Sequence, residues 1–369
     1  MLAKTKRDLG EEIQTMSFVK TTVGAAAIAL SFGTVAAAQT TIFYGHSGPA
    51  RGTVPAALKW FDGRIAELSE GDLKLDVQWG GALFKASASV PSIGDGVADA
   101  GSVISAYFQK EMAAYSLADL PLGGPNPWVG LRATDHLMRS MPEITENLAR
   151  QNLVYIGTFT ASDVNVACKG AEINSIEDIA GLKVRGAGVY GKVFGELGAT
   201  MVNLSVYDAY QGLDTGLIDC TQGYSYIVPA LKWHEVIDSY TVLNWGQIGG
   251  YGMFMNKQSY DALSDAQKAV LTQAGTELAD KYAQIVIGAN SKALKAMRED
   301  AYDRPVKVLE VSAEERAALN AATEPFLNDW KENAASVGLN PDKMIEVYTQ
   351  AVADYTAEFE AKGYPWERN

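Results

Sequence analysis

The chain has 369 residues and a formal net charge of −13. The acidic balance argues against nucleic acid or an anionic membrane surface as a partner. Its length exceeds what one hydrophobic core usually serves, so about two domains are expected.

The first residues belong to export rather than to the fold. Residues 1–15 are polar and precede a second methionine, which leaves Met1 and Met16 as alternative starts. Met16 to Lys20 gives a short cationic segment, VGAAAIALSFGTV an apolar run, and Ala36-Ala37-Ala38 small residues before Gln39. That order predicts a secretory signal cleaved after Ala38. A transmembrane helix is the competing reading, but the run is short, rich in Ala and Gly, and followed by a cleavage motif. No cysteine follows it, which argues against a lipid anchor, and no later segment is long and apolar enough to span a membrane.

Beyond Gln39, TIFYGHSG reads as a strand ending in a glycine-flanked loop. Thr53 to Leu68 carries Val54, Leu58, Phe61, Ile65 and Leu68 at helical spacing. LKLDVQW is a strand, and SVPSIGDGVADAGSVIS a helix turning into another, which makes a β-α-β-α-β unit. Residues 118–127 form a Pro/Gly-rich loop before a helix near Trp128–Met138. LVYIGTFTASDVNVACKG is one bent strand or two, long enough to pass from one domain into the next.

The stretch from Asn174 to Tyr226 repeats the alternation. Ser175 with Asp178, and Ser205 with Asp208, fit capping boxes. Gly181 and Gly198 stand where left-handed helix caps belong. LKVR, TMVNL and LIDCT read as strands of a parallel sheet. Arg185 then falls at the carboxyl end of a strand, where ligands bind in open α/β sheets. IVPALKWHEVID reads as a helix, and Tyr240–Asn256 as two strands with Gly249-Gly250 between them, a return crossing. From Ser264, paired with Gln267 in a third capping box, helices are expected over Ala266–Glu299, Ala313–Ala335 and Pro341–Lys362.

Several motifs bear on chemistry. Gly186 to Gly191 matches G-x-G-x-x-G, but the next strand ends Val202-Asn203-Leu204, without the acid that holds a ribose. A tight strand–helix turn with backbone N–H groups facing an anion is the plainer reading. His46, His136 and His234 have no metal-ligand spacing, and neither H-E-x-x-H nor G-x-S-x-G occurs. No nucleophile, base and oxyanion donor assemble, so no catalytic residue, metal or cofactor is assigned. Cys168 and Cys220 lie on strands of one domain; export permits a disulfide, and two buried thiols remain the alternative. A guanidinium fork matches a carboxylate bidentately, which favours Arg185 as an anion anchor. Trp79, Tyr107, Phe159, Tyr190, Tyr224, Tyr226, Trp245 and Tyr251 crowd strand ends, and a subset of about three would box in a small ligand.

Asp178 to Arg185, Leu197-Gly198-Ala199, Thr215-Gly216 to Asp219, and Asn256 to Gln267 closely resemble the solute-binding proteins of TRAP (tripartite ATP-independent periplasmic) transporters. GDGVADAGSVISAYF in the first half resembles them more weakly. The resemblance implies a two-lobed periplasmic binding protein fold of the α/β class, with crossing strands, a central cleft and a long helix spanning both lobes. It places lobe I at 39–160 plus 251–290, lobe II at 161–250 plus 291–335, and a C-terminal helix at 336–369. It implies a monomeric periplasmic receptor that binds a small organic acid and delivers it to the small and large membrane subunits of a permease. A receptor of an ATP-driven importer and an exported enzyme acting on an organic acid are the alternatives. Arg185 matches the arginine that pairs with the ligand carboxylate in this family. His46 and Ser47 after the first strand, and Val103 to Tyr107 at the third, would face the cleft. The expected ligand-binding set is Arg185, His46, Ser47, Trp79, Ile104, Ser105, Asn165, Gln222, Tyr224 and Trp245. Compared with sialic-acid-binding members, a second arginine is replaced near Val164, a cleft asparagine by Gly223 and an acid by Gln222. These losses favour a compact carboxylate with an apolar or aromatic body, or a cationic group held by aromatic faces.

Overall fold

A computed structural model describes residues 39–122, 126–160 and 162–368. The expected export signal, residues 1–38, lies outside the described residues. β1 (Thr40–Gly45), β2 (Leu73–Gln78) and β3 (Ala100–Ile104) run parallel, with β1 in the middle. β10 (Tyr251–Asn256) lies antiparallel beside β3, and β4 (Leu153–Phe159) beside β10, giving the order β2-β1-β3-β10-β4. The second sheet holds β5 (Asp163–Cys168), β6 (Lys183–Arg185), β7 (Thr200–Met201), β8 (Cys220–Gly223), β9 (Ser239–Gln247) and β11 (Lys307–Glu310). Its order is β11-β9-β5-β8-β6-β7. The chain passes from the first sheet to the second between β4 and β5, and returns between β9 and β10. The chain crosses a third time between β10 and β11, so the lobes are tied by three crossings, with the expected cleft between the carboxyl ends of their parallel strands.

Local chemistry explains most boundaries. The helix Thr53–Leu68 buries Val54, Leu58, Phe61 and Ile65 on the first sheet. Ser264 and Gln267 satisfy each other's backbone N–H groups and start the helix Asp265–Arg298. Its 34 residues reach about 50 Å at 1.5 Å per residue. Arg64 grips Glu277 with two bonds of 2.6 and 2.9 Å, and Trp128 Nε1 donates to Asp280 at 2.7 Å, both holding the long helix to the first lobe. A methyl at Gly275 would stand 1.9 Å from the Ile156 carbonyl, so only glycine lets that helix lie so close to β4. Further along, Asn290 accepts from the Tyr226 N–H and donates to Ser162, contacts that reach the second lobe.

Four expectations change. IVPALKWHEVID is no single helix: it stops at Ala230, Lys232 takes a left-handed φ of 62°, and a 3-10 turn covers Trp233–Glu235. The break turns Trp233 fully inward. Ala313–Ala335 divides into Ala313–Ala321 and Glu324–Ser336, because Pro325 has no N–H to continue the first helix. TMVNL pairs only through Thr200–Met201, at an exposed sheet edge. Ser205 caps the Tyr207 N–H, yet Asp208 does not complete a box as Asp178 does for Ser175. β11, a short polar edge strand without an apolar run, was not anticipated. Cys168 and Cys220 are register partners on β5 and β8 and are joined as a disulfide, which decides between the two readings of the sequence.

Asp119 holds the return crossing. Its Oδ1 accepts from the Gly250 N–H at 2.8 Å and its Oδ2 from Ser105 Oγ at 2.5 Å. Burial pushes its carboxyl up to about 7, against the pull of those two hydrogen bonds. Between about pH 4 and 7 the folded chain then keeps a proton that the unfolded chain has lost. Stability from this group falls as pH rises through that window. Asp163, pushed up to about 7 by burial as well, remains in both proteins, so denaturation across pH 4–7 should show a steeper decline in wild type than in Asp119→Asn; parallel profiles would dismiss the assignment.

Candidate functional site

The site begins where β6 ends. Arg185 is only 2% exposed, and among the described residues it makes no ion pair with a carboxylate. Its Nε donates to the Leu204 carbonyl at 3.0 Å, Nη1 to the Gln222 carbonyl at 3.4 Å and Nη2 to the Tyr107 hydroxyl at 3.0 Å. A guanidinium has five N–H donors, so these bonds orient the group without saturating it. Burying a cation is costly unless a counter-charge arrives. The Tyr107 oxygen also accepts from the Val206 N–H at 3.0 Å. With two bonds accepted, that phenol keeps its own hydrogen to donate.

Arg185 lines a cavity of about 670 Å³, counting its open mouth. The room open to the centre of a water-sized sphere is only about 70 Å³, so the closed site is tight and suits a compact ligand. His46, Ile104, Tyr107 and Tyr251 face it from the first lobe; Val206, Tyr207, Tyr224 and Tyr226 face it from the second. Tyr224 and Tyr226 stack with centroids 6.0 Å apart and planes 13° off parallel. Contacts that close the lobes over it include Tyr107 with Arg185 and Val206, the Tyr207 and Tyr251 hydroxyls at 3.2 Å, and Arg51 Nε to the Ala230 carbonyl at 2.6 Å. Burial holds the Tyr224 phenol well above its ordinary pKa, opposed by the positive charge of Arg185. It and its neighbour Tyr226, pushed up to about 12 by burial, stay protonated hydrogen-bond donors. Burial lowers His46 to about 4, so its ring is neutral. The chemistry is that of a clamp: the buried Arg185 and the exposed Arg51 in the lining, several neutral donors and aromatic walls.

Residues 44–333 match the sequence model of a family described as bacterial extracellular solute-binding protein, family 7. The chain belongs to this family. The C4-dicarboxylate-binding periplasmic protein DctP of Rhodobacter capsulatus is 32% identical over 158 residues, 42% of this chain and 46% of that protein. The match thus spans less than half of that relative's length. The 2,3-diketo-L-gulonate-binding periplasmic protein YiaO of Escherichia coli is 21% identical over 311 residues, 82% of this chain and 92% of that protein. A TRAP solute-binding protein from Bordetella bronchiseptica with bound mandelate has a TM-score of 0.75 at 18% identity, covering 86% of this chain and 99% of the other. A marine metagenome TRAP solute-binding protein specific for aromatic acids, in complex with metahydroxyphenylacetate, has a TM-score of 0.74 at 23% identity with the same coverage. The two-lobed fold and the TRAP resemblance read from the sequence are both met.

In this solute-binding protein the expected site residues scatter. Arg185, His46, Ile104 and Tyr224 line the cavity. Ser47 sits in the outer groove at its mouth and donates to the Phe84 carbonyl at 3.2 Å. Trp79 packs edge-on against His46 at 5.4 Å and supports it. Ser105 serves the Asp119–Gly250 crossing instead. Asn165 Oδ1 accepts from the Leu243 and Asn244 N–H groups at 2.8 and 3.0 Å, tying β5 to β9. Gln222 Oε1 takes the Ala187 N–H at 2.7 Å, the amide that the glycine-rich turn was expected to offer an anion. Trp245 is fully buried against Tyr190 and Phe194 at 4.8 and 5.7 Å, in the core of the second lobe. Strand periodicity is two, so a one-residue error in where a strand stops sends a side chain to the opposite face. Tyr207 and Arg51 were overlooked; the Ser205-capped turn at the end of β7 was the available signal for the first.

The substitutions at Val164 and Gly223 also read differently. Val164 is wholly buried. A Cβ on Gly223 would lie 2.3 Å from the Trp233 ring, which does not line the cavity. Gly223 makes room for Trp233 rather than for ligand. Gly223→Asn should therefore cost about 1–3 kcal/mol of stability by overpacking, measured by denaturation. A variant as stable as wild type would mean that Trp233 moves aside freely.

Proposed function

We propose that this chain is a periplasmic receptor, without catalytic activity, that closes over a small organic carboxylate and delivers it to the small and large membrane subunits of a TRAP permease. The observation that carries this is Arg185: a buried, unneutralised cation, already oriented, in a cavity between two lobes. A carboxylate docking there accepts the unused guanidinium donors and the Tyr107 hydrogen. Closure removes water, and the pair strengthens as screening falls. Tyr224, Tyr226, Tyr207, Tyr251 and Ile104 surround the body of the ligand, which favours a compact aromatic or apolar acid over a polyhydroxylated one. The aromatic acids held by two of the structural neighbours are consistent with this choice. Lobe I is proposed as 39–160 plus 251–290 and lobe II as 161–250 plus 291–335, acting as a monomer after cleavage behind Ala38.

The test is calorimetry of residues 39–369 against aromatic monocarboxylates, C4-dicarboxylates and sugar acids. Affinity of about micromolar or tighter, roughly −8 kcal/mol, is expected for an aromatic acid. If no carboxylate binds, the reading fails; if only sugar acids bind, the ligand class is wrong. Uptake by vesicles containing the two membrane subunits, without ATP, tests delivery.

A further inference from the structure

A chain of three buried groups runs from the core to the cavity. The Tyr44 hydroxyl lies 2.7 Å from Ser102 Oγ, which lies 2.9 Å from His46 Nδ1. Tyr44 is fully buried and Ser102 and His46 are nearly so. Ser102 Oγ has one hydrogen and must both give and receive along this line. If Nδ1 carried the imidazole proton, Ser102 would accept it, and only one of the Ser102 and Tyr44 hydrogens could be used between them, leaving the other buried with no acceptor among the described residues. If Tyr44 donates to Ser102 and Ser102 donates to Nδ1, every hydrogen is used. The second arrangement leaves the proton of the neutral ring on Nε2. His46 lines the cavity, and Nε2 has neither a partner nor a sealed position among the described residues. Burial that keeps the ring neutral near pH 7 agrees with this tautomer.

We infer that the Tyr44–Ser102 relay fixes His46 as an Nε2–H donor, so that the receptor selects carboxylates carrying a second, neutral acceptor oxygen. The inference rests on the proposed function, in which Arg185 takes the carboxylate. A neutral donor among aromatic rings suits a hydroxyl or keto oxygen. The relay offers a second carboxylate no cation, and Arg51, the other arginine of the lining, is exposed with its Nε donated to the Ala230 carbonyl, so a charge buried at the His46 end would be poorly paired and disfavoured. The ligand is thus bifunctional: charged at the Arg185 end and hydroxylated or oxidised at the His46 end. His46 is a specificity residue, and Ser102 and Tyr44 position it.

Two measurements decide this. Nitrogen-15 NMR of the imidazoles, with His46 assigned by loss of its signals in His46→Phe, should show a neutral Nε2–H ring in wild type. Ser102→Ala should mix the tautomers. A dominant Nδ1–H form in wild type overturns the inference whatever binds. Calorimetry then compares phenylacetate, 3-hydroxyphenylacetate and 3-carboxyphenylacetate. The hydroxy acid should bind at least tenfold tighter than phenylacetate. His46→Phe and Ser102→Ala should bring the ratio of the two affinities to near one, a ratio read independently of any change in phenylacetate affinity itself. Equal affinities for the first two acids, or a preference for the diacid, reject the inference and leave the carboxylate reading standing. Binding of none of the three, beside binding of other carboxylates, rejects it likewise; binding of no carboxylate at all rejects both.

Discussion

Arg185→Ala should weaken carboxylate binding at least about a hundredfold, a loss of roughly 2.8 kcal/mol. The bound acid would lose a charge-assisted pair in a site from which water is excluded, and charged hydrogen bonds are the strong ones. The variant also frees the Leu204 and Gln222 carbonyls and the Tyr107 hydroxyl of their donor. A fall in affinity alone is therefore not decisive. The ligand-free melting temperature separates the two effects. A buried cation without a counter-charge is a burden on the empty protein, so its removal should leave the apo stability near wild type while binding collapses. Arg185→Lys keeps the charge and loses the fork, and should bind between the two. Unchanged affinity in calorimetry would remove Arg185 from the site. A large loss of apo stability with unchanged affinity would make it a structural residue.

Replacing both cysteines, Cys168→Ala with Cys220→Ala, should lower stability by about 2–4 kcal/mol. The bridge closes a loop with a sequence separation of 52, for which the chain-entropy argument gives about 4 kcal/mol. Strand pairing between β5 and β8 still holds the two positions together when the bridge is gone, so the lower end of that range is included. The melting midpoint should fall by several degrees, and reductant should reproduce the shift in wild type but not in the variant. The bridge lies at the amino end of β8, two residues before Gln222, whose carbonyl meets Arg185. Affinity should change little. An unchanged midpoint on reduction would show that the strand ladder alone fixes this lobe.

Legibility differed by the length scale of the signal. The helix Thr53–Leu68 and the capping box at Ser264 and Gln267 are local events, written in residues a few positions apart. Arg185 was found because a short apolar run ends just before a glycine, which marks a strand's carboxyl end. IVPALKWHEVID went astray because Trp233 must turn inward beside Gly223, a demand made by packing on β8 rather than by the segment's own spacing. Gln222, Asn165 and Trp245, expected in the site, do not line the cavity, for a similar reason. Each lies near a strand end, and the face it takes is set by register with β5, β6 or β9.

The amino-acid sequence by itself determined the two α/β halves, their crossings, the family and the one arginine on which the proposal turns. These follow from hydrophobic period, capping chemistry and glycine placement, all of which act over a few residues. The tertiary structure alone decided that Cys168 and Cys220 are joined and that Trp233 occupies the space beside Gly223. It alone brought Tyr107 of one lobe to Arg185 of the other, and Tyr44 and Ser102 behind His46. Apart from Trp233 beside Gly223, those contacts join residues 50 or more positions apart, and their geometry depends on sheet register and lobe closure, which no local pattern records.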